Sequence, residues 1–326
     1  MHLLLTGASG LVGSTFLSYV DRQSVRVSAL TYRRPVEGVE NVTLDTVDTS
    51  TVTAILHSAA DTRFDIPLEE SRAANVELTR SMLEIARRCP KLERFGFVSS
   101  AFACGRETGK LEPTRWSRPA QFSSVYQQTK WESEELVFEA MRELPASVYR
   151  LSAIFGEAAT GQVRQYNYTH QLLKFLARNL LPLAPVDLAA PVDLIASDWV
   201  STALYEQFME KYRPGAVAHL TMGPERALSV GRMIHLAVEA FEKHAPELMP
   251  IRVPRMVTIE EYREHVAAVE RRGETLLVEM FRLLETYLPH LALRQEFVPT
   301  PVGAAPPESE GFFSACAGYA IRSRWR

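Results

Sequence analysis

The chain has 326 residues, of which 46% are hydrophobic and 23% charged, with a formal net charge of −3. That length and composition allow one large or two modest domains around a sizeable core, and the charge provides no basic field for nucleic acid. No apolar run reaches the about 18 residues of a membrane span, and Cys89, Cys104 and Cys316, odd in number and scattered, support neither a disulfide framework nor a metal site.

The run His2-Leu3-Leu4-Leu5-Thr6 ends at Gly7, and a second apolar segment, Leu11 to Val20, follows Ala8, Ser9 and Gly10 with Gly13 inside it. The pattern predicts a strand, a tight turn and a helix whose first backbone amides are free to hold a pyrophosphate. Gly7, Ser9, Gly10, Leu11, Val12 and Gly13 are the candidate cofactor-binding residues. The same glycines interrupt the run too early for a signal peptide, so a reduced, cytoplasmic chain is expected.

Val25 to Leu30 predicts the second strand, followed by Thr31-Tyr32-Arg33-Arg34. A dinucleotide-binding fold places an acid here for the ribose hydroxyls of NAD, whereas arginine suits the 2′-phosphate of NADP. Arg33 and Arg34 thus predict NADPH, the bland alternative being a solvated turn before Pro35. Val42 to Leu44 and Thr53 to Ala60 predict the third and fourth strands. The few residues between them leave this unit abbreviated, because a crossover carrying a helix takes at least about ten to twelve residues. Asp45 is the candidate adenine-side contact there.

Asp65-Ile66-Pro67 marks a helix start, and Leu68, Val76, Leu78, Met82, Leu83 and Ile85 keep a three- and four-residue spacing toward Arg88. Arg94 to Ala101 predicts a buried strand tipped by Ser99 and Ser100. Ser123 to Lys130 then opens a helix on which Tyr126 and Lys130, four positions apart, share a face at about 6 Å along the axis. An adjacent ammonium favours the phenolate, so Lys130 is expected to bring the Tyr126 phenol down toward the range useful for proton transfer. Such a pair also arises by chance in a chain with 11 tyrosines. The glycine turn and serine-tipped strand upstream are what single it out.

Ser147 to Gly156 predicts another apolar strand closed by glycine. Residues 157–195 hold a polar loop, an apolar helix around Leu172-Leu173-Lys174-Phe175-Leu176 and a Pro/Ala stretch, readable equally as core or as substrate wall. Ser197 to Leu204 starts a helix, Ala216 to Thr221 a strand, and Ser229 caps a helix through Phe241. Two helical periods follow from Thr258 to Tyr287, suggesting a small helical subdomain or lid. Pro299 to Gly311 reads as a mobile connection and Phe312 to Arg326 as a tail that clasps either the body or a partner. Three regions are expected: 1–156, 157–298 and 299–326.

Glycine turn, serine-tipped strand and Tyr/Lys helix, in this order, resemble an extended short-chain dehydrogenase/reductase, and the likeness runs to about residue 245. The resemblance implies an α/β, Rossmann-type doubly wound parallel sheet with a smaller, mostly helical C-terminal substrate or lid region. It implies Ser100, Tyr126 and Lys130 as catalytic residues, leaving Ser99 as a strand-end hydroxyl, and puts Cys104 where relatives carry an aromatic residue. Ser58, Ala59 and Ala60, after a structural His57, and Leu151, Ser152, Ala153 and Ile154 would lie against the cofactor. Asn75 would shape the site indirectly, and the helices over 67–88 and 124–143 would pair with a second copy in a homodimer. His57-Ser58-Ala59-Ala60, the hydrophobic middle and the helical carboxyl end are most similar to thioester reductase domains and fatty acyl-CoA reductases. That likeness implies NADPH-dependent reduction of an acyl thioester, on coenzyme A or a separate carrier, to an aldehyde or alcohol. The alternatives are a dehydrogenase or epimerase of a sterol-like alcohol or nucleotide sugar, and a dinucleotide sensor without turnover.

Overall fold

The computed structural model describes residues 1–31 and 34–325. Strands β1 (His2–Thr6), β2 (Arg26–Leu30), β3 (Glu40–Val42), β4 (Ala54–His57) and β5 (Arg94–Ser100) share one sheet. The short strand β6 (Gly109–Leu111) pairs outside it with Gln295–Phe297, and β7 (Ala146–Leu151) and an edge strand, Val217–Leu220, complete the sheet. The order is edge strand, β7, β5, β4, β1, β2, β3, and every pairing is parallel. This is the doubly wound arrangement, in which the order reverses between β1 and β4 and leaves a crevice beyond the strands' carboxyl ends. No helix joins β3 to β4; turns cover the short span between them, as the spacing predicts.

Both sheet faces are covered, which is why the strands read as unbroken apolar runs. The helices α1 (Leu11–Tyr19) and α6 (Ser197–Tyr205) lie on one face and α3 (Leu78–Arg87) and α4 (Val125–Ala140) on the other, with α2 (Leu68–Arg72) leading into α3, while α5 (Tyr168–Ala177) and α7 (Val230–His244) follow in the carboxyl-terminal half. Successive strand residues point to opposite faces. Leu3 and Leu5 share a core with Phe16 of α1 and Leu204 of α6, while Leu4, Ile55 and Phe97 share one with Met82 of α3 and Val137 of α4. A π turn over Ala73–Glu77 joins α2 to α3.

The helical periods after Thr258 form α8 (Ile259–Arg271) and α9 (Thr275–Tyr287), locked together where Tyr262 donates its hydroxyl to the Phe281 carbonyl at 3.1 Å. The segment after Pro299 is not the mobile connection that its composition suggests. The Thr300 amide donates to the His219 carbonyl at 2.9 Å, the Gly303 amide to Glu206 Oε2 at 2.7 Å and the Trp199 indole to the Ala304 carbonyl at 2.9 Å. The tail clasps the body: α10 (Ser309–Arg322) buries Phe312, Phe313, Cys316 and Ala317. Small residues allow the close approach, since a Cβ on Gly156 would lie 2.6 Å from the Cys316 sulfur. Composition suggests backbone freedom over 299–311, and hydrogen bonds to partners distant in sequence override it.

Candidate active site

A cavity of about 630 Å³ opens at the carboxyl end of the sheet, and the β1–α1 turn forms its floor. Gly7 has φ +69°, and a Cβ there would sit 2.7 Å from the Ala59 nitrogen; a Cβ on Gly13 would run into the Gly7 carbonyl. Only glycine fits such a cradle. The Gly10 amide donates to the Gly7 carbonyl at 2.9 Å, and α1 starts without a side-chain cap. The amides of Leu11, Val12 and Gly13 are therefore left for an anion, which is what a dinucleotide pyrophosphate requires. Ser9 and Gly10 line this end, with Ser58, Ala59 and Ala60 after β4 and Leu151, Ser152, Ala153 and Ile154 after β7.

Thr6 ties turn to strand, its hydroxyl accepting from the Ser58 and Ala59 amides at 3.1 Å each and meeting His57 Nδ1 at 2.7 Å. The other His57 nitrogen meets the Thr79 hydroxyl at 3.1 Å, and burial pushes the imidazole down to about 3, so it is a neutral spacer. Arg33 lies outside the described residues. Arg34 and Asp45 are exposed, and neither lines the cavity.

Ser124 caps α4 by accepting from the Gln127 amide, which fixes the start of the helix and turns Tyr126 and Lys130 to the cavity. Ser100, at the end of β5, accepts from the Phe102 amide at 3.2 Å and hydrogen-bonds the Tyr126 phenol. Burial pushes that phenol up to about 12, with the Ser100 contact pulling the other way. This is opposite to the sequence expectation. The Lys130 ammonium donates instead to the Val98 carbonyl at 2.8 Å and lies 4.2 Å from the centre of the Phe97 ring. Burial pushes Lys130 itself down to about 7, Glu134 one turn further opposing this. With the ammonium drawn to Val98 and the phenol pushed up by burial, Tyr126 is held in its protonated, proton-donating form.

Asn75, in the π turn, accepts from the Asp61 amide at 2.7 Å and donates to the Asp61 carbonyl and the Thr129 hydroxyl at 3.0 Å each, pinning the loop after β4 to α4. Behind α4, Arg150 pairs with both oxygens of Glu134 at 2.9 and 2.7 Å, and its guanidinium lies 3.3 Å from the centre of the Trp116 ring.

The opposite wall is aromatic: Phe64, Phe102 and Tyr168 line it with Gln165, Tyr166 and Asn167. Asn167 caps α5, accepting from the Thr169 amide at 3.0 Å, so Tyr168 faces the cavity while Leu172, Leu173 and Leu176 pack inward. The segment 157–195 is thus both wall and core. Cys104 is buried away from the cavity, and Phe102 supplies the ring. The cap signal at Asn167 was readable in the sequence, whereas nothing local marked Phe64 or Phe102. Among the described residues, no Asp or Glu lines the cavity and no group of acids, histidines and cysteines is arranged to hold a metal.

Fold and glycine turn together define a dinucleotide-binding domain built on a doubly wound parallel sheet. The chain belongs to the male sterility protein family of NAD-binding domains, whose model matches residues 32–204, over half of its length. It is 26% identical over 234 residues to fatty acyl-CoA reductase 2 of Homo sapiens, an alignment spanning 61% of this chain and 45% of that one. It is 31% identical over 193 residues to the isonitrile lipopeptide synthase of Streptomyces coeruleorubidus, spanning 58% of this chain and 13% of that one. The chain therefore spans less than half the length of either curated relative. In fold it is similar to the terminal R domain from the myxalamid PKS-NRPS biosynthetic pathway, with a TM-score of 0.77 and 21% identity over 100% of this chain and 91% of that one.

Proposed function

We propose that the protein reduces an acyl thioester with NADPH, releasing an aldehyde, with further reduction to the alcohol at the same site. The observation that carries this reading is the wall of Phe64, Phe102 and Tyr168 facing Ser100 and Tyr126 without a carboxylate, which suits an apolar acyl group better than a sugar. Similarity to a fatty acyl-CoA reductase supports it. The Gly7–Gly13 turn would hold the pyrophosphate and Lys130 the nicotinamide ribose; when bound, the nicotinamide supplies a hydride to the thioester carbonyl carbon. Ser100 and Tyr126 hydrogen-bond the carbonyl oxygen as negative charge builds on it, and Tyr126 passes its proton to that oxygen. Collapse of the resulting adduct expels the thiol, which remains on coenzyme A or a carrier. The test is NADPH consumption against acyl-CoA thioesters of increasing length. Each buried methylene contributes about 0.8 kcal/mol, so affinity should climb until the chain meets the wall. Flat affinity, or turnover of nucleotide sugars alone, would favour the epimerase alternative.

Choice of NADPH over NADH is assigned to Arg33 and Arg34, with no acid between Val25 and Pro35 to repel a 2′-phosphate. A charge-assisted hydrogen bond is worth about 1.5–3 kcal/mol, so one engaged arginine gives at least a roughly tenfold preference. Replacing both by Ala should erase most of it and leave NADH binding little changed, and the wild-type preference should shrink as salt rises. Equal wild-type dissociation constants for the two cofactors would contradict the assignment.

Lys130 also predicts a proton linkage. Burial pushes its amine down to about 7, and the hydroxyls and phosphates of a bound dinucleotide would favour the charged form. Above neutrality, cofactor binding should therefore take up a proton and weaken as pH rises; well below neutrality it should do neither. Calorimetry in buffers of different ionisation enthalpy reads the uptake, and Lys130→Met should abolish it. An affinity that is independent of pH across neutrality would contradict the linkage.

A homodimer through the helices over 67–88 and 124–143 rests on the family resemblance. No large apolar side chain on these helices is exposed among the described residues, so a dimer there would be polar. Sedimentation at several concentrations and salt strengths tests it, and a monomer throughout would overturn it.

A further inference from the structure

Arg178 follows α5 as its C-cap, Lys243 and His244 close α7, and Arg322 closes α10 with Arg324 just beyond. Contacts join these three helix ends into one patch. The Lys174 ammonium lies 5.4 Å from the centre of the Tyr166 ring and 5.5 Å from that of Trp325. Burial, and then the Arg178 charge, push the Lys174 amine below its ordinary value. Arg322 Nη1 is 3.4 and 3.3 Å from the two His244 nitrogens. Lys243, His244 and Arg322 together line a cavity of about 410 Å³ between α7 and α10.

Arg164, Arg178, Lys243, Arg322 and Arg324 are exposed, and neither they nor Lys174 pair with a carboxylate among the described residues. Elsewhere exposed arginines are paired: Arg26 with Glu40, Arg87 with Glu143 and Arg115 with Glu135. The acid that lines the 410 Å³ cavity, Glu239, is turned to His235 at 3.0 Å. A cation in the last turn of a helix offsets the dipole, but each C-terminus carries only about half a charge. Three helix ends therefore leave most of the six cations unbalanced, on a chain whose net charge is −3.

The patch reaches the mouth of the active-site cavity. Tyr166 lines that cavity; its hydroxyl meets the Ser323 hydroxyl at 3.0 Å and its ring lies 6.1 Å from that of Trp325, so the end of α10 holds the rim. Arg164 precedes Gln165, an exposed residue of the same rim. We propose that this surface docks an acidic protein, the carrier of the acyl thioester, so that the carrier's pantetheine arm enters the cavity past Tyr166. This rests on the thioester reading above. Opposite charge around a mouth steers encounter and orients the partner more than it adds affinity, which suits a carrier that must dock, react and leave.

The test presents an octanoyl thioester in three forms: on a purified acidic acyl carrier protein, on coenzyme A, and on N-acetylcysteamine, which is uncharged. In wild type, kcat/KM for the carrier form should fall as salt rises, and that for the N-acetylcysteamine form should not. Arg178→Glu combined with Lys243→Glu should lower the carrier value about tenfold at low salt, with the N-acetylcysteamine value and NADPH affinity retained. Lys91→Glu combined with Arg213→Glu makes the same charge change at exposed positions before β5 and the edge strand, at the opposite end of the sheet, and should leave all three forms unaffected. An unchanged carrier value in the patch variant overturns the proposal. So does a parallel fall with N-acetylcysteamine, which marks a structural effect, or an equal fall in the control variant, which marks net charge alone. A loss as large with coenzyme A makes the patch a phosphate site and overturns it too. If wild type reduces none of the three, the reductase reading fails instead, and fluorescence anisotropy of the labelled carrier decides on the surface. Binding that weakens with salt and in the patch variant upholds the docking; no binding at low salt, or binding of phosphatidylglycerol vesicles alone, overturns it.

Discussion

Tyr126→Phe is expected to lower kcat for thioester reduction by about 10²- to 10⁴-fold, the range lost when a positioned proton donor is removed. The structure gives little room for a structural explanation of such a loss. The Tyr126 ring stacks on Phe64 at 5.7 Å between centroids, and phenylalanine keeps that contact. The glycine turn is untouched, so the NADPH dissociation constant should hardly change. With the phenol held up at about 12, wild type should keep its proton donor well into alkaline pH. A Phe variant with wild-type turnover would remove Tyr126 from the mechanism.

Glu134→Ala is expected to destabilise the fold by about 3–5 kcal/mol, because it leaves a buried guanidinium without its counter-ion. The Arg150 and Glu134 side chains are 0% and 1% exposed. Arg150 also donates to the Thr114 carbonyl at 2.8 Å and meets His219 Nε2 at 3.2 Å, so removing the carboxylate disturbs the loop after β6 and the edge strand together. Glu134→Ala combined with Arg150→Met should recover much of the loss, since an apolar replacement strands no charge. Urea unfolding checks both. A single variant costing less than about 1 kcal/mol, the level of an exposed pair, would show that the pair is not buried as described.

The glycine turn was legible because geometry restricts its residue types, as the positive φ at Gly7 shows, and Tyr126 and Lys130 because they share one helix face; Ser100 was singled out over Ser99 by the family resemblance, and the structure brings all three to one cavity. The electrostatics were not legible. Spacing brings a cation to a phenol, but which effect wins depends on burial and on the Val98 carbonyl that draws Lys130 away. Phe102 and Phe64 become one wall only through the tertiary fold, and His290 reaches them from the far end of the chain. Residues 299–311 misled for the converse reason. A Pro- and Gly-rich stretch signals loose backbone locally, whereas the Thr300 and Gly303 amides are held by partners distant in sequence.

The central claim is that hydride passes from NADPH to a thioester carbonyl beside Tyr126. The most direct measurement incubates the protein with an octanoyl thioester and NADPH deuterated at the transferred position of the nicotinamide, and analyses the products by mass spectrometry. The account predicts octanal, or octanol, with one deuterium on the former carbonyl carbon for each hydride delivered, free thiol in equal amount to the thioester consumed, and none of these products above background in Tyr126→Phe. Unlabelled product, thiol released by hydrolysis to octanoic acid, or NADPH oxidised without thioester loss would contradict it.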